Sequence, residues 1–273
     1  MDIKMLATDL DRTLLDGRHE PTPENASALE ACAAKGIVLT AATGRALTAV
    51  PPAVRAIKGM RYVICSNGSK VYDNERTALL DAHYVSPEAI EYTRPFLADP
   101  EVLIEYFWDD TPHVDAERYE RHEAIPDWFL GYFLASRKPH RDIAADVQAH
   151  IHEIENVNFV FGTEAQRARV HRFLAARPDL YELTSSMPFN FEIGGVGVSK
   201  ASALDFVCAR EGIAPKDCIC FGDSENDARM IAWAGFGVAM GNAVPEAKAA
   251  ADFVTLDNEH SGVAHALHTL GIL

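Results

Sequence analysis

Short apolar segments alternate with helical patterns at both ends of this chain, and this alternation constrains its fold more than any other feature. Strand, helix and strand in succession predict a parallel sheet with right-handed crossovers. Near the amino end the predicted strands are Ile3–Thr8, Ile37–Ala42 and Tyr62–Cys65. The predicted helices there are Pro23–Lys35 and a segment from about Gly44 to before Gly59. The pattern therefore predicts an open α/β sheet.

The last part of the chain repeats the same alternation. Strands are predicted at Cys218–Phe221, Phe236–Ala239 and Phe253–Thr255. Helices are predicted at Lys200–Arg210, Glu225–Ala234, Pro245–Ala251 and Gly262–Leu270. We therefore expect residues 1–82 and 190–273 to form one α/β domain, which the chain leaves and later re-enters.

Residues 83–189 have longer polar stretches and predict an inserted α+β domain. Strand patterns occur at Val102–Phe107, Val157–Phe161, Tyr181–Thr184 and Phe189–Ile193, and helical patterns at Ser86–Leu97 and Glu164–Ala176. The insert holds ten basic and nineteen acidic residues, and so carries most of the formal net charge of −15.

Charge and composition exclude several classes of partner. The net charge of −15 argues against nucleic acid, because sequence-independent binding depends on Lys and Arg that neutralise phosphates. The sequence has no run of eighteen apolar residues that would predict a membrane helix, and no signal-peptide pattern. Five cysteines without such a signal favour reduced thiols and a cytoplasmic location. The oligomeric state is expected to be a monomer or a small homo-oligomer.

Two carboxylates directly follow the first predicted strand, at the sheet edge where open α/β proteins bind ligands. Asp9 and Asp11 are two residues apart, so both side chains point the same way on an extended chain. Paired carboxylates repel unless a cation or a proton lies between them. One of them can attack as a nucleophile while the other donates a proton. Aspartate is also common in simple turns at strand ends, so the pair alone allows both interpretations.

The next two predicted strands end in groups suited to phosphate. Thr43 and Gly44 place a hydroxyl and free backbone N–H groups at a strand-to-helix turn, although Thr43 also fits a plain helix N-cap. Asn67 precedes Gly68 in a typical turn signal, and a substrate contact is the alternative interpretation.

Oxygen-bearing side chains follow the strand at Cys218–Phe221. Asp223 lies at the strand tip, and Asn226 and Asp227 share one face of the next helical turn, which suits Mg²⁺. The alternative is an acidic helix start favoured by the helix dipole. Lys200 also begins a predicted helix, where the dipole disfavours it. It therefore indicates either a role in neutralising phosphate or a solvated lysine.

Phosphoryl transfer to an aspartate is the simplest chemistry that these strand ends share. A carboxylate and a phosphate must approach each other, and Mg²⁺, Lys200 and Thr43 would offset their repulsion. The second carboxylate would protonate the leaving oxygen and later activate water.

These motifs resemble those of the haloacid dehalogenase-like phosphatases, in particular the Cof-type branch of sugar and small-metabolite phosphatases. The matching segments are Asp9-Leu10-Asp11-Arg12-Thr13-Leu14-Leu15, Ala42-Thr43-Gly44-Arg45, Ser66-Asn67-Gly68, Ser199-Lys200, Gly222-Asp223-Ser224-Glu225-Asn226-Asp227 and Ala239-Met240-Gly241-Asn242-Ala243. The resemblance implies a Rossmann-like core and a cap domain at residues 83–189 that closes over the site and selects the substrate.

The resemblance also implies a role for each matched position. Asp9 would be the nucleophile that forms an aspartyl-phosphate, Asp11 the general acid and base, and Lys200 the group that orients Asp9 and the phosphate. The implied phosphate or substrate contacts are Thr43, Gly44, Arg45, Asn67, Lys200 and Asn226. The implied Mg²⁺ ligands and supporting residues are Asp9, Asp11 through its backbone carbonyl, Asp223 and Asp227.

Arg12 departs from this family, which usually has Gly at the same place. A residue with a long side chain there either fits the usual backbone poorly or adds a cation near the phosphate. Activity is expected to survive, because Asp9, Asp11 and Thr13 are intact.

The main interpretation is thus a Mg²⁺-dependent phosphatase of small phosphorylated metabolites, with sugar phosphates as the preferred class. One alternative is a phosphomutase, which would return the phosphoryl group to its substrate. The other is a receiver-like signalling module that is phosphorylated on Asp9 without turnover.

Overall fold

A computed structural model describes residues 2–122 and 125–273, with Trp128 described by its backbone alone. The chain divides into two units. The first unit comprises the residues through Gly44, Val50–Ala82 and Ser199–Leu273; the second comprises Arg45–Ala49 and His83–Val198. The domain boundary expected at residue 190 is corrected to 199. The reason is that a strand at Asn190–Gly194 pairs inside the sheet of the second unit.

The first unit is an α/β structure. Its strands are β1 (Met5–Thr8), β2 (Val38–Ala42), β3 (Met60–Cys65), β4 (Lys70–Asp73), β5 (Ala78–Ala82), β12 (Cys218–Gly222), β13 (Phe236–Ala239) and β14 (Phe253–Val254). Its helices are α1 (Pro23–Ala34), α2 (Pro52–Arg55), α8 (Lys200–Glu211), α9 (Glu225–Trp233), α10 (Pro245–Ala250) and α11 (Gly262–Thr269). The intervening labels β6–β11 and α3–α7 belong to the second unit.

The sheet of the first unit runs in the order β14-β13-β12-β1-β2-β3-β4-β5. Neighbours from β14 through β3 pair in parallel, which confirms the predicted α/β sheet. Strand β1 lies between β2 and β12 and is fully buried, which explains its continuous apolar run. Strands β4 and β5 extend the sheet in antiparallel pairing, and the sequence pattern did not predict them.

The helix predicted from about Gly44 to Gly59 is largely wrong. Proline lacks a backbone N–H, so it is tolerated in the first turn of a helix and not in its interior. The segment forms a 3₁₀ turn at Leu47–Ala49, and a short helix then starts at Pro52 and ends at Arg55.

The second unit is an α+β structure, as expected. Its strands are β6 (Leu103–Trp108), β7 (Thr111–Asp115), β8 (Lys138–His140), β9 (Asn156–Val160), β10 (Glu182–Thr184) and β11 (Asn190–Gly194). Its helices are α3 (Pro87–Thr93), α4 (Ala116–Arg121), α5 (Asp127–Ser136), α6 (Ile143–Ala149) and α7 (Glu164–Leu174). The sheet order is β10-β11-β9-β6-β7-β8. The predicted helix at Ser86–Leu97 is shorter, because a 3₁₀ segment that includes Pro95 replaces its second half.

The two faces of this second sheet differ. On one face, Ile104, Tyr106, Val157 and Phe159 belong to a large apolar core that also includes residues of α3, α6 and α7. On the other face, Leu103 and Val160 pack with residues of α5 in a smaller apolar cluster.

In the described part of the chain, no helix combines the length and the apolar character needed to cross a membrane.

Candidate active site

The turn after β1 carries the first predicted site residues. Asp9 leaves the strand, and its backbone N–H donates to the Phe221 carbonyl of β12 at 2.9 Å, so Asp9 lies beside the end of that strand. The chain then makes a tight π-type turn at Leu10–Leu14, which is interrupted at Asp11 and Arg12. The Asp9 side chain is 8% exposed and therefore almost completely buried.

Lys200 joins two carboxylates at this place. It is the first residue of α8, and its side chain is 1% exposed. Its Nζ lies 2.6 Å from Asp9 Oδ1 and 2.7 Å from Asp227 Oδ1. The unfavourable helix-start position of Lys200 is thus explained by two buried ion pairs, and the interpretation as a solvated lysine is wrong.

Asp223 and Asp227 follow β12 and are both fully buried. Asp227 Oδ2 accepts hydrogen bonds from the backbone N–H groups of Asp223 at 2.9 Å and Ser224 at 3.0 Å. Asp223 Oδ1 accepts from the Thr13 hydroxyl at 3.1 Å, and Asp223 Oδ2 from the Ser224 hydroxyl at 3.1 Å. These donors fix both carboxylates in orientation.

Among the described residues, Asp9, Asp223 and Asp227 form a group whose ligand oxygens all lie within 4.8 Å of one another. We call these residues together with Lys200 the carboxylate cluster. Gly222 makes its close packing possible, because a Cβ there would lie 2.4 Å from the Cβ of Asp227.

The carboxylate cluster holds more negative than positive charge. Burial and the charge of Asp227 raise the pKa of Asp9 well above its usual range, and Lys200 offsets this only in part. Burial and Asp227 also raise the pKa of Asp223 to about 7, with Arg12 acting in the opposite direction. Burial opposes the charge of Lys200, but Asp227 and Asp9 raise its pKa above the ordinary value. Concentrated, buried carboxylate oxygens of this kind suit a hard divalent cation.

Two further strand ends are hydrogen-bonded to each other. Thr43 follows β2 and is 1% exposed; its N–H donates to the Ile64 carbonyl at 2.9 Å, and its carbonyl accepts from the Asn67 N–H at 3.0 Å. Asn67 Oδ1 accepts from Asn226 Nδ2 at 2.9 Å, which ties the turn after β3 to the start of α9. Gly44 follows Thr43 directly.

Gly68 lets the turn after β3 approach the start of α8. Its φ of +108° lies in a region that favours glycine, and a Cβ there would lie 2.2 Å from the carbonyl oxygen of Ser199. The residue before Lys200 is therefore packed against Gly68. The sequence suggested only a turn at this glycine, and no spacing rule could have revealed its partner.

Arg12 adopts the backbone conformation that glycine favours, with φ +61°. Its Nε lies 3.6 Å from Asp223 Oδ2, and its Nη2 donates to the Asn242 carbonyl at 3.1 Å. Asn242 Nδ2 donates in return to the Arg12 carbonyl at 2.8 Å. Of the two expected consequences of Arg12, the structure thus favours the added cation, and it locates that cation at Asp223.

Asp11 and Arg45, two further predicted site residues, also lie outside the carboxylate cluster. The Asp11 side chain is 31% exposed, and its Oδ1 lies 3.8 Å from His19 Nδ1, a neighbour that the sequence did not indicate. Arg45 belongs to the second unit. Its guanidinium lies 4.4 Å from the centroid of the Tyr132 ring and donates to the Ala49 carbonyl at 2.8 Å.

The second unit contains another buried group of polar side chains, which the sequence analysis missed. Strand pairing places Glu105, Asn158 and Glu192 side by side across β6, β9 and β11. Arg137 pairs with Glu105, its Nε lying 2.9 Å from Oε1, and Asn158 Nδ2 donates to Glu105 Oε2 at 2.7 Å. Asn190 Nδ2 donates to Asn158 at 3.1 Å and to Glu192 at 2.8 Å.

Asn156 completes this group, which we call the polar cluster: Glu105, Arg137, Asn156, Asn158, Asn190 and Glu192. Asn156 Nδ2 donates to Glu192 Oε2 at 3.4 Å. Asn156 is fully buried, and its Oδ1 has no hydrogen-bond partner among the described residues. The polar cluster therefore holds a buried acceptor that is free to receive one more donor.

Similarity to known proteins agrees with this geometry. The family model described as haloacid dehalogenase-like hydrolase matches residues 6–267. The chain belongs to the haloacid dehalogenase-like hydrolases. The family resemblance of the strand-end motifs is thereby confirmed.

Individual members of this hydrolase family match over nearly the whole chain. The protein YxeH of Bacillus subtilis is 32% identical over 277 residues, covering 98% of each chain. The 5-amino-6-(5-phospho-D-ribitylamino)uracil phosphatase YcsE of B. subtilis is 30% identical over 267 residues, covering 98% of this chain and 95% of the relative. A solved haloacid dehalogenase-like hydrolase from B. subtilis superposes with a TM-score of 0.85 at 27% identity, covering 98% of this chain and 100% of its own. The expected enzyme class, a phosphatase of this family, is confirmed.

Proposed function

We propose that this chain is a Mg²⁺-dependent phosphatase that forms an aspartyl-phosphate on Asp9 and acts on small phosphorylated metabolites. The observation that carries the proposal is the carboxylate cluster, in which Lys200 Nζ lies 2.6 Å from Asp9 Oδ1. An attacking carboxylate needs a fixed orientation and a cation that offsets the charge of the incoming phosphate. Lys200 supplies both for Asp9.

The donor set fits Mg²⁺. Three buried carboxylates lie with one buried ammonium, and burial together with this surplus of negative charge raises the pKa values of Asp9 and Asp223. The three carboxylates offer hard oxygen ligands, which Mg²⁺ prefers. Asp9, Asp223 and the backbone carbonyl of Asp11 would hold the ion, with Asp227 supporting it. When bound, the ion neutralises charge on the transferring phosphoryl group.

The reaction then follows from the residues. The Asp9 carboxylate attacks phosphorus while the bond from phosphorus to the leaving oxygen breaks, and Asp11 donates a proton to that oxygen. In the second half Asp11 removes a proton from water, the water oxygen attacks phosphorus, and the bond to Asp9 breaks to release phosphate. The partial exposure of Asp11 supports its role, because it can exchange protons with solvent. Thr43, Gly44, Asn67 and Asn226 would hold phosphoryl oxygens, and Arg45 would contact the substrate.

The second unit is proposed to select the substrate. The amides and carboxylates of the polar cluster can accept from and donate to hydroxyl groups, and Asn156 Oδ1 offers a free acceptor. With two acidic side chains and one basic side chain, the polar cluster favours a neutral polyhydroxylated group over a second anion. Sugar phosphates fit this description, and the relative YcsE is named for a phosphorylated ribityl compound.

The location and partners remain predictions. We propose a cytoplasmic monomer or small homo-oligomer that binds no nucleic acid, in keeping with a net charge of −15.

Hydrolysis of a generic aryl phosphate, with and without Mg²⁺, tests the proposal. We expect Mg²⁺-dependent phosphate release by the wild type and none above background by Asp9→Asn. Asp217→Asn is the matched control, because Asp217 precedes the amino end of β12 while Asp223 and Asp227 of the carboxylate cluster follow its carboxyl end. A wild-type rate in Asp9→Asn would exclude the proposed nucleophile.

A screen of sugar phosphates, nucleotides and cofactor phosphates then identifies the substrate. Release of inorganic phosphate supports hydrolysis, whereas formation of an isomeric phosphate ester would indicate a mutase. A long-lived aspartyl-phosphate without turnover would indicate a receiver-like module.

A further inference from the structure

One residue, Asn242, bonds to both the main chain and the side chain of Arg12. Asn242 Nδ2 donates to the Arg12 carbonyl at 2.8 Å, and the Asn242 carbonyl accepts from Arg12 Nη2 at 3.1 Å. Asn242 is itself fixed, because its Oδ1 accepts from the Asn258 N–H at 3.1 Å. These bonds hold Arg12 in a left-handed backbone conformation that residues other than glycine rarely adopt.

The fixed guanidinium lies beside one particular carboxylate. Arg12 Nε lies 3.6 Å from Asp223 Oδ2, whereas Lys200 contacts the other two carboxylates, Asp9 and Asp227. The other side-chain contacts given above for Asp223 come from the neutral hydroxyls of Thr13 and Ser224. Asp223 is fully buried, and a buried carboxylate without a nearby cation is costly. Arg12 reduces that cost.

The same contact has a second effect. A positive charge a few ångströms from a ligand oxygen repels a divalent cation that binds to that oxygen. The Arg12 side chain is 44% exposed, so solvent and salt weaken this repulsion without removing it.

We infer that Arg12 is the resident counter-ion of Asp223, which holds this carboxylate in position in the metal-free protein and lowers the affinity of the carboxylate cluster for Mg²⁺. The inference rests on the proposed function, since it takes Asp223 as a metal ligand. It assigns Arg12 a positioning role, because Arg12 acts through Asp223.

Three substitutions separate the charge of Arg12 from its backbone strain. Arg12→Lys keeps the charge, Arg12→Gln removes the charge and keeps the strain, and Arg12→Gly removes both. Lys4→Gln is the control for net charge, since Lys4 pairs with Asp217 before the amino end of β1.

Calorimetric titration with MgCl₂ at constant ionic strength measures the affinity directly. We expect Arg12→Gln and Arg12→Gly to bind Mg²⁺ about three- to tenfold more tightly than the wild type, an effect that shrinks at high salt. Arg12→Lys and Lys4→Gln should stay within about twofold of the wild type on the same electrostatic ground. In protein treated with a chelator, Arg12→Gln should melt about 2–4 °C lower than Arg12→Lys.

The possible failures are distinguishable. Unchanged or weaker Mg²⁺ binding by Arg12→Gln, with normal binding by the wild type, overturns the inference and leaves the proposed function intact. Equal melting temperatures of Arg12→Gln and Arg12→Lys without metal overturn the counter-ion role. No Mg²⁺ binding by the wild type overturns the inference together with the magnesium part of the proposed function.

Discussion

The carboxylate cluster of the first unit and the polar cluster of the second are both buried, yet they differ in charge balance. In the carboxylate cluster three carboxylates face the single ammonium of Lys200, and the pKa of Asp223 rises to about 7. In the polar cluster Arg137 and Glu105 form a two-point ion pair, and amides satisfy the remaining carboxylate oxygens.

In the proposed function, this difference separates a site for charged ligands from a site for neutral ones. A buried surplus of negative charge is costly unless a cation offsets it, so the carboxylate cluster is suited to a metal ion and to phosphoryl transfer. An ion pair with amides that bond to a second carboxylate instead suits hydroxyl groups. The two units therefore divide the proposed work into reaction and substrate selection.

Lys200→Met gives the largest expected effect. The substitution leaves Asp9 and Asp227 without their ammonium and removes the charge that faces the phosphate. We expect kcat for an aryl phosphate to fall by at least about 10³-fold. The free energy of unfolding should fall by about 3–5 kcal/mol. Lys216→Met, at an exposed lysine in the turn before β12, should leave both quantities unchanged.

Arg137→Met tests the polar cluster in the same way. It leaves Glu105 buried and unpaired, so the free energy of unfolding should fall by about 3–5 kcal/mol. Below the melting temperature, kcat for a small aryl phosphate should change by less than about twofold, because Arg137 lies in the unit that we propose to select the substrate, and such a substrate has no hydroxyl groups to recognise. The double variant with Glu105→Met should regain part of the stability. A loss of kcat as large as that of Lys200→Met would contradict the proposal that the two clusters have different roles.

Gly68→Ala tests how tightly the carboxylate cluster depends on backbone packing. The added Cβ would meet the Ser199 carbonyl at 2.2 Å and displace the start of α8. We expect a loss of stability on the order of 3 kcal/mol and a lower kcat. Gly131→Ala in α5 is the control, because a Cβ there meets nothing within 4 Å; it should stabilise the protein by up to about 1 kcal/mol. Thermal unfolding measures the stability of both variants, and aryl phosphate kinetics measure their kcat.

His113 provides the smallest expected effect, a pH dependence confined to the second unit. Its Nδ1 lies 2.7 Å from His140 Nε2, and burial lowers the pKa of His113 to about 4. Because the unfolded chain binds this proton near the ordinary pKa of about 6.5, stability is lost as the pH falls from 7 to 5.

The loss attributable to His113 should reach about 1–2 kcal/mol at pH 5. Unfolding of the wild type and of His113→Gln, measured at pH 7 and pH 5, isolates this contribution. Equal pH dependence in the two proteins would contradict the assignment to His113.

The sequence allowed prediction of the carboxylate cluster because two of its members follow strands with a clear apolar pattern. The other two lie on helices next to the strand at Cys218–Gly222: Asp227 one helical turn after Asp223, and Lys200 at the start of the helix that precedes this strand. Asp9 and Asp223 each follow such a strand, and sheet topology alone brings those ends together. The phosphate-binding roles of Thr43, Asn67 and Asn226 stay predictions, because hydrogen bonds to neighbouring strand ends already explain their positions.

The polar cluster could not be predicted, because its members are neighbours only through strand register. Glu105, Asn158 and Glu192 lie far apart in the chain and meet across three strands whose pairing no local pattern specifies. The hairpin of β4 and β5 was missed for a related reason, since its strands are short and lack the alternation of a half-buried edge. The conformation of Arg12 was also beyond prediction, because it depends on Asn242 from the other end of the chain.

The position of β1 between β2 and β12 has a consequence for synthesis on the ribosome. Strand β12 is translated only after the whole second unit, so β1 has one parallel partner and one unpaired edge during that interval. An unpaired edge of a hydrophobic strand invites pairing with other chains. Residues 83–198 can meanwhile form their own sheet, since its strands all come from that continuous stretch. The second unit is therefore expected to fold first, and chaperones that shield nascent strands should matter most until β12 emerges.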